Sequence, residues 1–149
     1  MTGRLLGVDF GTVRVGLAVC DSERRIASPL ATYERRDPAC DATYFRKLVA
    51  EEQVVGLVVG LPAHTDGREG VKAQEARAFG AWLANETGLP ATFYDERFST
   101  KQAESALWAA GLTHKRRKER RDRVAAQLVL QAYIDAGCPP EEASRALDA

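Results

Sequence analysis

The chain has 149 residues, of which 45% are hydrophobic and 28% are charged. A chain of this size buries roughly 68–70% of the surface that its unfolded form exposes, which suffices for one well-packed core. The composition is far from the low-hydrophobicity, high-net-charge signature of intrinsic disorder. Because basic and acidic residues balance at 21 each, the net charge is zero and gives no evidence for a whole-chain electrostatic attraction to nucleic acid, so that any such attraction must come from the distribution of charge.

Membrane insertion and disulfide bonding are not expected from this sequence. No apolar stretch approaches the roughly 20 residues that span a bilayer, and Asp9 interrupts the N-terminal segment before a signal-peptide core develops. We therefore expect a cytoplasmic protein. Cys20, Cys40 and Cys138 are far apart and form no C-x-x-C pair, which favours reduced structural thiols over a zinc site or a disulfide framework.

Three short apolar runs open the chain and predict antiparallel strands. Residues 4–10 and 14–20 are separated by a three-residue segment that begins with Gly11, a spacing typical of a β-hairpin. A third strand is predicted from residue 26 to about 33. It should lie at the edge of the sheet, because Pro29 cannot donate a hydrogen bond to a second neighbour.

Helices and strands then alternate. We predict helices at residues 38–53, 73–85 and 121–136, and strands at 54–60 and 91–94. A further helix, capped by Ser99 or Thr100, should reach about residue 111. Residues 137–149 should form a weak terminal helix or a disordered tail. The order β-β-β-α-β-α-β-α predicts an α/β fold with a mixed five-stranded sheet and helices on both faces.

A strongly basic segment compensates for the neutral balance of the chain. Seven of the nine residues from 115 to 123 are basic: Lys115, Arg116, Arg117, Lys118, Arg120, Arg121 and Arg123. We interpret this segment as a connector that leads into the last helix and binds phosphates, with Arg14 and Arg97 as further phosphate-binding candidates. The alternative is a solvated charged face with no ligand.

Asp9 is the first candidate for chemistry, because it interrupts an otherwise apolar strand. A carboxylate there is costly unless a partner compensates its charge. It could bind a divalent cation, with Gly11 allowing close approach of backbone and phosphate. Alternatively, it could accept hydrogen bonds from amides of the following turn.

Two further acidic positions could join Asp9. Asp95 and Glu96 end a short strand and should point to opposite faces, so at most one of them shares a site with Asp9; either could instead be a solvated residue near a helix start. Asp122 is expected to open the last helix, on the same face as two alanines, and could instead be a capping residue or a surface ion-pair partner. Three such carboxylates can converge on one or two Mg²⁺ or Mn²⁺ ions.

The same residues occur in a known order of motifs. These are Gly7-Val8-Asp9-Phe10-Gly11-Thr12 with Arg14, Gly16 and Ala18; Gly60-Leu61-Pro62 with Asp66-Gly67; Asp95-Glu96-Arg97 with Ser99-Thr100; and Asp122 with Ala125-Ala126 and Leu130. Over residues 4 to 135 the chain resembles the YqgF/RuvX family, whose members are described as nucleases of precursor 16S rRNA and as Holliday junction resolvases. The chain departs from the family at His64-Thr65 and in its arginine-rich segment.

The resemblance implies an RNase H-like nuclease domain over residues 1–136. It implies that Asp9, Glu96 and Asp122 are the catalytic carboxylates and hold one or two Mg²⁺ or Mn²⁺ ions. The expected partner is nucleic acid, either the 5′ end of precursor 16S rRNA, free or on ribosomal particles, or a four-way DNA junction. His64 and Asp66 lie in a loop that could contact substrate, and the oligomeric state, monomer or homodimer, stays open.

Two other functions compete with this one. The Asp-x-Gly-Thr turn also occurs in actin-like phosphotransferases, which clamp a nucleotide between two such domains, although this chain has length for one. A non-catalytic RNA-binding module, with the basic segment as its contact surface, is the second alternative.

Overall fold

The five strands of the protein form one mixed sheet in the order β3-β2-β1-β4-β5. A computed structural model describes residues 2–62, 70–95 and 114–140. The strands are β1 (Arg4–Asp9), β2 (Arg14–Cys20), β3 (Ala27–Glu34), β4 (Val54–Leu61) and β5 (Ala91–Asp95). Strands β1, β2 and β3 pair antiparallel, whereas β4 pairs parallel with both β1 and β5. The predicted α/β class and mixed sheet are confirmed.

The edge position of β3 is also confirmed. Leu17 pairs with Ala31 whereas Ala18 pairs with Pro29, so Leu30 is an extra residue at a shift in register. Such a bulge, on a strand with only one neighbour, tolerates a residue that cannot donate to the ladder.

Helices cover both faces of the sheet, as predicted. They are α1 (Pro38–Glu51), α2 (Val71–Thr87) and α3 (His114–Asp135). Because successive strand residues point to opposite faces, Leu6 and Val8 of β1 pack towards α1 and α2, whereas Leu5 packs towards α3. Below, the two sides are called the α1/α2 face and the α3 face.

Local signals set the ends of α1 and α2. Asp37 caps α1 by accepting a hydrogen bond from the backbone amide of Cys40, and Pro38 occupies the first turn. Gly88 ends α2 with a φ of 72°, a left-handed conformation that favours glycine. No helix among the described residues is both long enough and apolar enough to span a bilayer. The three cysteines are free thiols.

The basic segment was predicted wrongly as a connector. Helix α3 begins at His114, so the described backbone of residues 115–123 is helical. Arginine, lysine and glutamate are good helix formers, and no glycine or proline interrupts the segment. Its contacts to the sheet are polar: the Thr32 hydroxyl donates a hydrogen bond to the Glu119 carbonyl oxygen, and Arg123 donates to the same hydroxyl. A search for apolar periodicity therefore misses its first two turns.

The predicted helix near residues 99–111 lies outside the described residues, as does the tail beyond residue 140. Residues 136–138 form the turn that ends α3, in which the Cys138 amide donates a hydrogen bond to the Tyr133 carbonyl oxygen. The domain boundary at residue 136 stays a prediction.

Candidate active site

Helix α3 lies unusually close to the sheet at two glycines. A Cβ atom on Gly16 would come within 1.9 Å of the Asp122 carbonyl oxygen, and one on Gly7 within 2.9 Å of the Ala126 carbonyl oxygen. Any other residue at these strand positions would push the helix away. The close approach of α3 to the sheet therefore depends on these two strand glycines.

Asp9 lies at the same place, on the α3 face. It is the last residue of β1, half-buried, and its cross-strand partner is Gly16. Strand alternation puts Asp9 on the side of Leu5 and Gly7, towards α3. Opposed Cα atoms in an antiparallel pair are about 4.5–5.5 Å apart. Asp9 and Asp122, 113 residues apart in sequence, are thus both direct neighbours of Gly16.

Asp122 forms an ion pair that joins α3 to β2. Its Oδ2 atom accepts a hydrogen bond of 2.8 Å from Nε of Arg14, with side chains that are 22% and 32% exposed, respectively. Arg14 precedes Gly16 by two residues and therefore points to the same face. From the sequence, Arg14 was predicted to bind phosphate. In the structure its guanidinium contacts Asp122, a predicted metal ligand.

The capping interpretation of Asp122 is wrong. The residue lies about two turns inside α3 rather than in its first turn, because the helix begins at His114. The favourable interaction of a carboxylate with a helix dipole is confined to the first turn. The ion-pair interpretation holds, with Arg14 of β2 as a partner of Asp122.

Asp95 points away from this site. Ala91 and Phe93 of β5 pack into the core of the α1/α2 face, whereas the Tyr94 ring lies 5.4 Å from that of Tyr133 on α3. By alternation Asp95 shares the α1/α2 face with Phe93. This agrees with the expectation that at most one carboxylate of the doublet shares a site with Asp9.

Four of the predicted site residues lie outside the described residues: Glu96, Arg97, His64 and Asp66. Their assignments stay predictions. Within residues 2–62, 70–95 and 114–140, no group of three or more histidine, cysteine, aspartate or glutamate side chains is arranged to hold a metal ion. The described part of the chain thus contributes two of the three predicted ligands, Asp9 and Asp122.

The basic residues of α3 differ in exposure. Arg116, Lys118 and Arg120 are exposed, whereas Arg117, Arg121 and Arg123 are partly buried. The side chain of Lys115 lies outside the described residues. The three exposed cations are within about two turns of Asp122, so positive charge open to solvent adjoins the carboxylates.

A second polar cluster, on the α1/α2 face, was not foreseen. The Asp41 carboxylate is almost fully buried and accepts hydrogen bonds from the Tyr33 hydroxyl (2.6 Å) and the Arg36 amide (2.9 Å), while Nε of Arg35 lies 3.6 Å away. Burial, followed by the hydrogen bond to Asp41, raises the pKa of Tyr33 to about 12. An aspartate in the first turn of a helix gives no sequence signal of such burial, since most are solvated.

Comparison with known proteins places these features in a family. The family model described as RuvX, Holliday junction resolvase, matches residues 3–136. A Rhodopirellula baltica protein named "Putative pre-16S rRNA nuclease" is 46% identical over 135 residues, which cover 91% of this chain and 78% of that protein. A Rhodobacter capsulatus protein of the same name is 48% identical over 133 residues, covering 89% and 84%.

Two solved structures share the fold at low sequence identity. RuvC of T. thermophilus, in complex with a Holliday junction substrate, superposes with a TM-score of 0.59 at 19% identity, covering 93% of this chain and 98% of that one. Fowlpox virus resolvase, in complex with junction DNA, gives a TM-score of 0.53 at 10% identity, covering 91% and 99%. The predicted RNase H-like architecture is confirmed, and the chain belongs to the RuvX family.

Proposed function

We propose that this protein is a metal-dependent nuclease that hydrolyses phosphodiester bonds, with precursor 16S rRNA as its substrate. The observation that carries the proposal is the meeting of Asp9 and Asp122 at Gly16, on one face of the sheet. Two partly exposed carboxylates, one at the end of β1 and one on α3, lie beside exposed cations, which suits a phosphate-bearing polymer and a divalent cation.

The two described carboxylates, Asp9 and Asp122, are suitable ligands for a divalent cation. Mg²⁺ and Mn²⁺ prefer oxygen ligands, and Asp9 and Asp122 supply them from adjacent backbones, with Glu96 as the proposed third ligand. The position beside Asp122 already holds a positive group, the Arg14 guanidinium. When bound, such an ion polarises the scissile phosphate and lowers the pKa of the attacking water.

The chain's own residues orient the substrate in this proposal. The exposed cations of α3 bind phosphates on either side of the scissile one and hold the strand along the helix. Asp9 and Asp122 face the reacting phosphate from the sheet and from the helix. Arg14 neutralises part of the acidic charge that would otherwise repel the substrate.

Precursor rRNA is the preferred substrate because the two relatives at 46% and 48% identity are named for it. The match covers 78% and 84% of their own length. The second candidate is cleavage of four-way DNA junctions, which the family description favours. A junction resolvase would act as a symmetric dimer, since it cuts two strands related by a two-fold axis.

The test compares Asp9→Asn with Asp95→Asn, the same change at a strand-end carboxylate on the opposite face. Each purified variant is incubated with a precursor 16S rRNA fragment or a four-way junction in Mg²⁺, Mn²⁺ or a chelator. We expect metal-dependent cleavage of the rRNA fragment by wild type and Asp95→Asn, and none by Asp9→Asn, which should still bind.

Other outcomes favour the competing functions. Cleavage of the junction alone would favour the resolvase. Binding without cleavage by the wild type, in either metal, would indicate the non-catalytic module. Hydrolysis of ATP in the absence of nucleic acid would indicate an actin-like phosphotransferase. Unchanged cleavage by Asp9→Asn would overturn the assignment of the site.

A further inference from the structure

A pocket of about 350 Å³ lies on the α1/α2 face, between the end of β1 and the helices α1 and α2. A pocket of this volume is within the range of small-molecule sites, which are mostly apolar with a few convergent polar groups. Its lining includes three aromatic rings, a cation and two carboxylates, one of them buried: Phe10, Phe79, Trp82, Arg35, Glu75 and Asp41. None of these residues belongs to the proposed metal site.

The aromatic rings form a continuous wall. The Phe79 ring centroid lies 4.8 Å from that of Phe10 and 5.6 Å from that of Trp82. Phe79 is buried, whereas Phe10 and Trp82 are only partly buried and so retain surface that a ligand can cover. Flat aromatic surfaces of this kind are where proteins stack unpaired nucleobases.

Arg35 is held in place but not saturated. Its guanidinium carbon lies 5.2 Å from the Phe10 ring centroid and 5.3 Å from that of Phe79, which fixes the group over both rings. Its Nε atom is buried and donates no hydrogen bond to any described residue, because the Asp41 oxygen at 3.6 Å is too far. Nε itself is closed to solvent, but the Arg35 side chain as a whole is 30% exposed and lines the pocket, so a ligand acceptor can approach the guanidinium from the pocket side.

Glu75 supplies the complementary group. Its side chain is partly buried and makes no ion pair or hydrogen bond with the residues that the structure describes. The pocket thus offers an acceptor at Glu75 and a donor at Arg35 beside aromatic surface. Nucleobases combine a flat face with both donors and acceptors on the edge, whereas a bare phosphate would be repelled by Glu75.

The pocket and the proposed active site open at the same end of the sheet. Phe10 directly follows Asp9, and successive residues of an extended chain point to opposite faces. The two sites are therefore separated by little more than the end of β1. A strand bound with a phosphate at Asp9 would have to cross only this end to bring a neighbouring base to Phe10 and Trp82.

We propose that this pocket binds one unpaired nucleobase of the strand being cut, adjacent to the scissile phosphate. The base stacks on the partly exposed rings, and its edge is bound by Glu75 and Arg35. The proposal rests on the proposed nuclease function, because it assumes that the strand is held at Asp9. A free nucleotide offers the same chemistry and is the other source of such a ligand.

The test is a scan of abasic sites. A single abasic position is moved along a single-stranded RNA that spans the cleavage site, and binding to full-length Asp9→Asn protein is measured. We expect one position at which base loss weakens binding by roughly five- to 150-fold, the range for one stacked base. Adding Trp82→Leu should weaken binding of the intact RNA by a similar factor and abolish the penalty at that position alone.

Charge variants keep the test valid if Trp82→Leu fails to fold. Glu75→Gln keeps an acceptor oxygen but loses the charge, so it should reduce the positional penalty by roughly five- to tenfold, the difference between a charged and a neutral hydrogen bond. Glu51→Gln removes the same charge from the exposed C-terminal turn of α1 and should leave the penalty unchanged.

Three results would overturn the proposal, and they differ in what they imply. Binding of intact RNA without a penalty at any position would overturn the base pocket and leave the nuclease assignment standing. No binding of any RNA or junction would overturn both. Tight binding of free AMP or GMP that is lost in Trp82→Leu, without any positional penalty in RNA, would assign the pocket to a free nucleotide instead.

Discussion

Gly16 lies directly beneath the carbonyl oxygen of Asp122, so closely that a Cβ atom would come within 1.9 Å of it. We expect Gly16→Ala to displace α3 from the sheet and lower the free energy of unfolding by about 1–3 kcal/mol or more, as overpacking does. Cleavage should fall by about 100-fold or more, because a displacement of about 1 Å between reacting groups has effects of this size.

Gly56→Ala is the matched control for this prediction. It adds the same methyl group to another strand glycine, where the nearest atom is the end of the Leu5 side chain at 3.1 Å. A flexible side chain can move and a helix backbone cannot, so the control should cost less. Equal losses of stability and activity in both variants, by thermal unfolding and cleavage assays, would show that the Gly16 contact is unimportant.

Arg14→Gln should strengthen the binding of Mn²⁺. The guanidinium of Arg14 competes for Asp122, and a partly exposed pair of this kind is worth about 0–1 kcal/mol, so the gain should not exceed about fivefold. Stability should change little. Titration of Mn²⁺ by electron paramagnetic resonance would measure the effect.

Arg4→Gln is the corresponding control, since Arg4 is equally exposed and pairs with Glu52 at the other end of the sheet. It should leave the Mn²⁺ affinity unchanged. Weaker Mn²⁺ binding by folded Arg14→Gln would contradict the prediction and indicate that Arg14 holds Asp122 in position for the ion.

The exposed cations of α3 should determine the salt dependence of binding. Neutralising Lys118 and Arg120 together should reduce the log–log slope of single-stranded RNA affinity against salt by about 1.4, at roughly 0.7 per phosphate contact. The double variant Arg25→Gln, Lys47→Gln removes two exposed charges elsewhere and should not alter the slope. Equal slopes for all three proteins would exclude α3 as the phosphate-binding surface.

Tyr33→Phe should destabilise the protein at neutral pH, because the buried Asp41 carboxylate loses a donor worth roughly 1.5–3 kcal/mol. The folded state raises the pKa of Tyr33 from 10.0 to about 12. Its contribution is therefore complete below pH 10 and is lost as the pH rises from 10 towards 12. Chemical unfolding at pH 7, 9 and 11 should show the difference from wild type shrinking at the highest pH; a constant difference would contradict this.

Much of the fold could be predicted because its signals are local. The apolar runs of the five strands and the capping residues of α1 and α2 act over a few neighbouring residues, and the observed strand ends lie within one residue of those predicted. The start of α3 could not be predicted in this way, because its first turns contact the sheet through hydrogen bonds that involve Thr32 and Arg123 rather than through apolar side chains.

The candidate site could be predicted only in part, for the same reason. Asp9 is conspicuous as a charge in an apolar strand, and Asp122 as a carboxylate beside two alanines, whereas the choice of Glu96 over Asp95 rested on the family resemblance. The Arg14–Asp122 pair joins residues 108 positions apart, and nothing in either local sequence specifies it. The packing of α3 against Gly16 likewise depends on a contact between distant parts of the chain.

The cations of residues 116–120 and the carboxylate of Asp122 belong to one continuous helix. Because that helix is continuous, the cations are held at a fixed distance from Asp122, and a polymer bound by them is positioned relative to both carboxylates. Binding of the flanking phosphates therefore also positions the scissile phosphate at the carboxylates. A short ligand that contacts only a few of the cations should be bound weakly and, once bound, also be cut slowly.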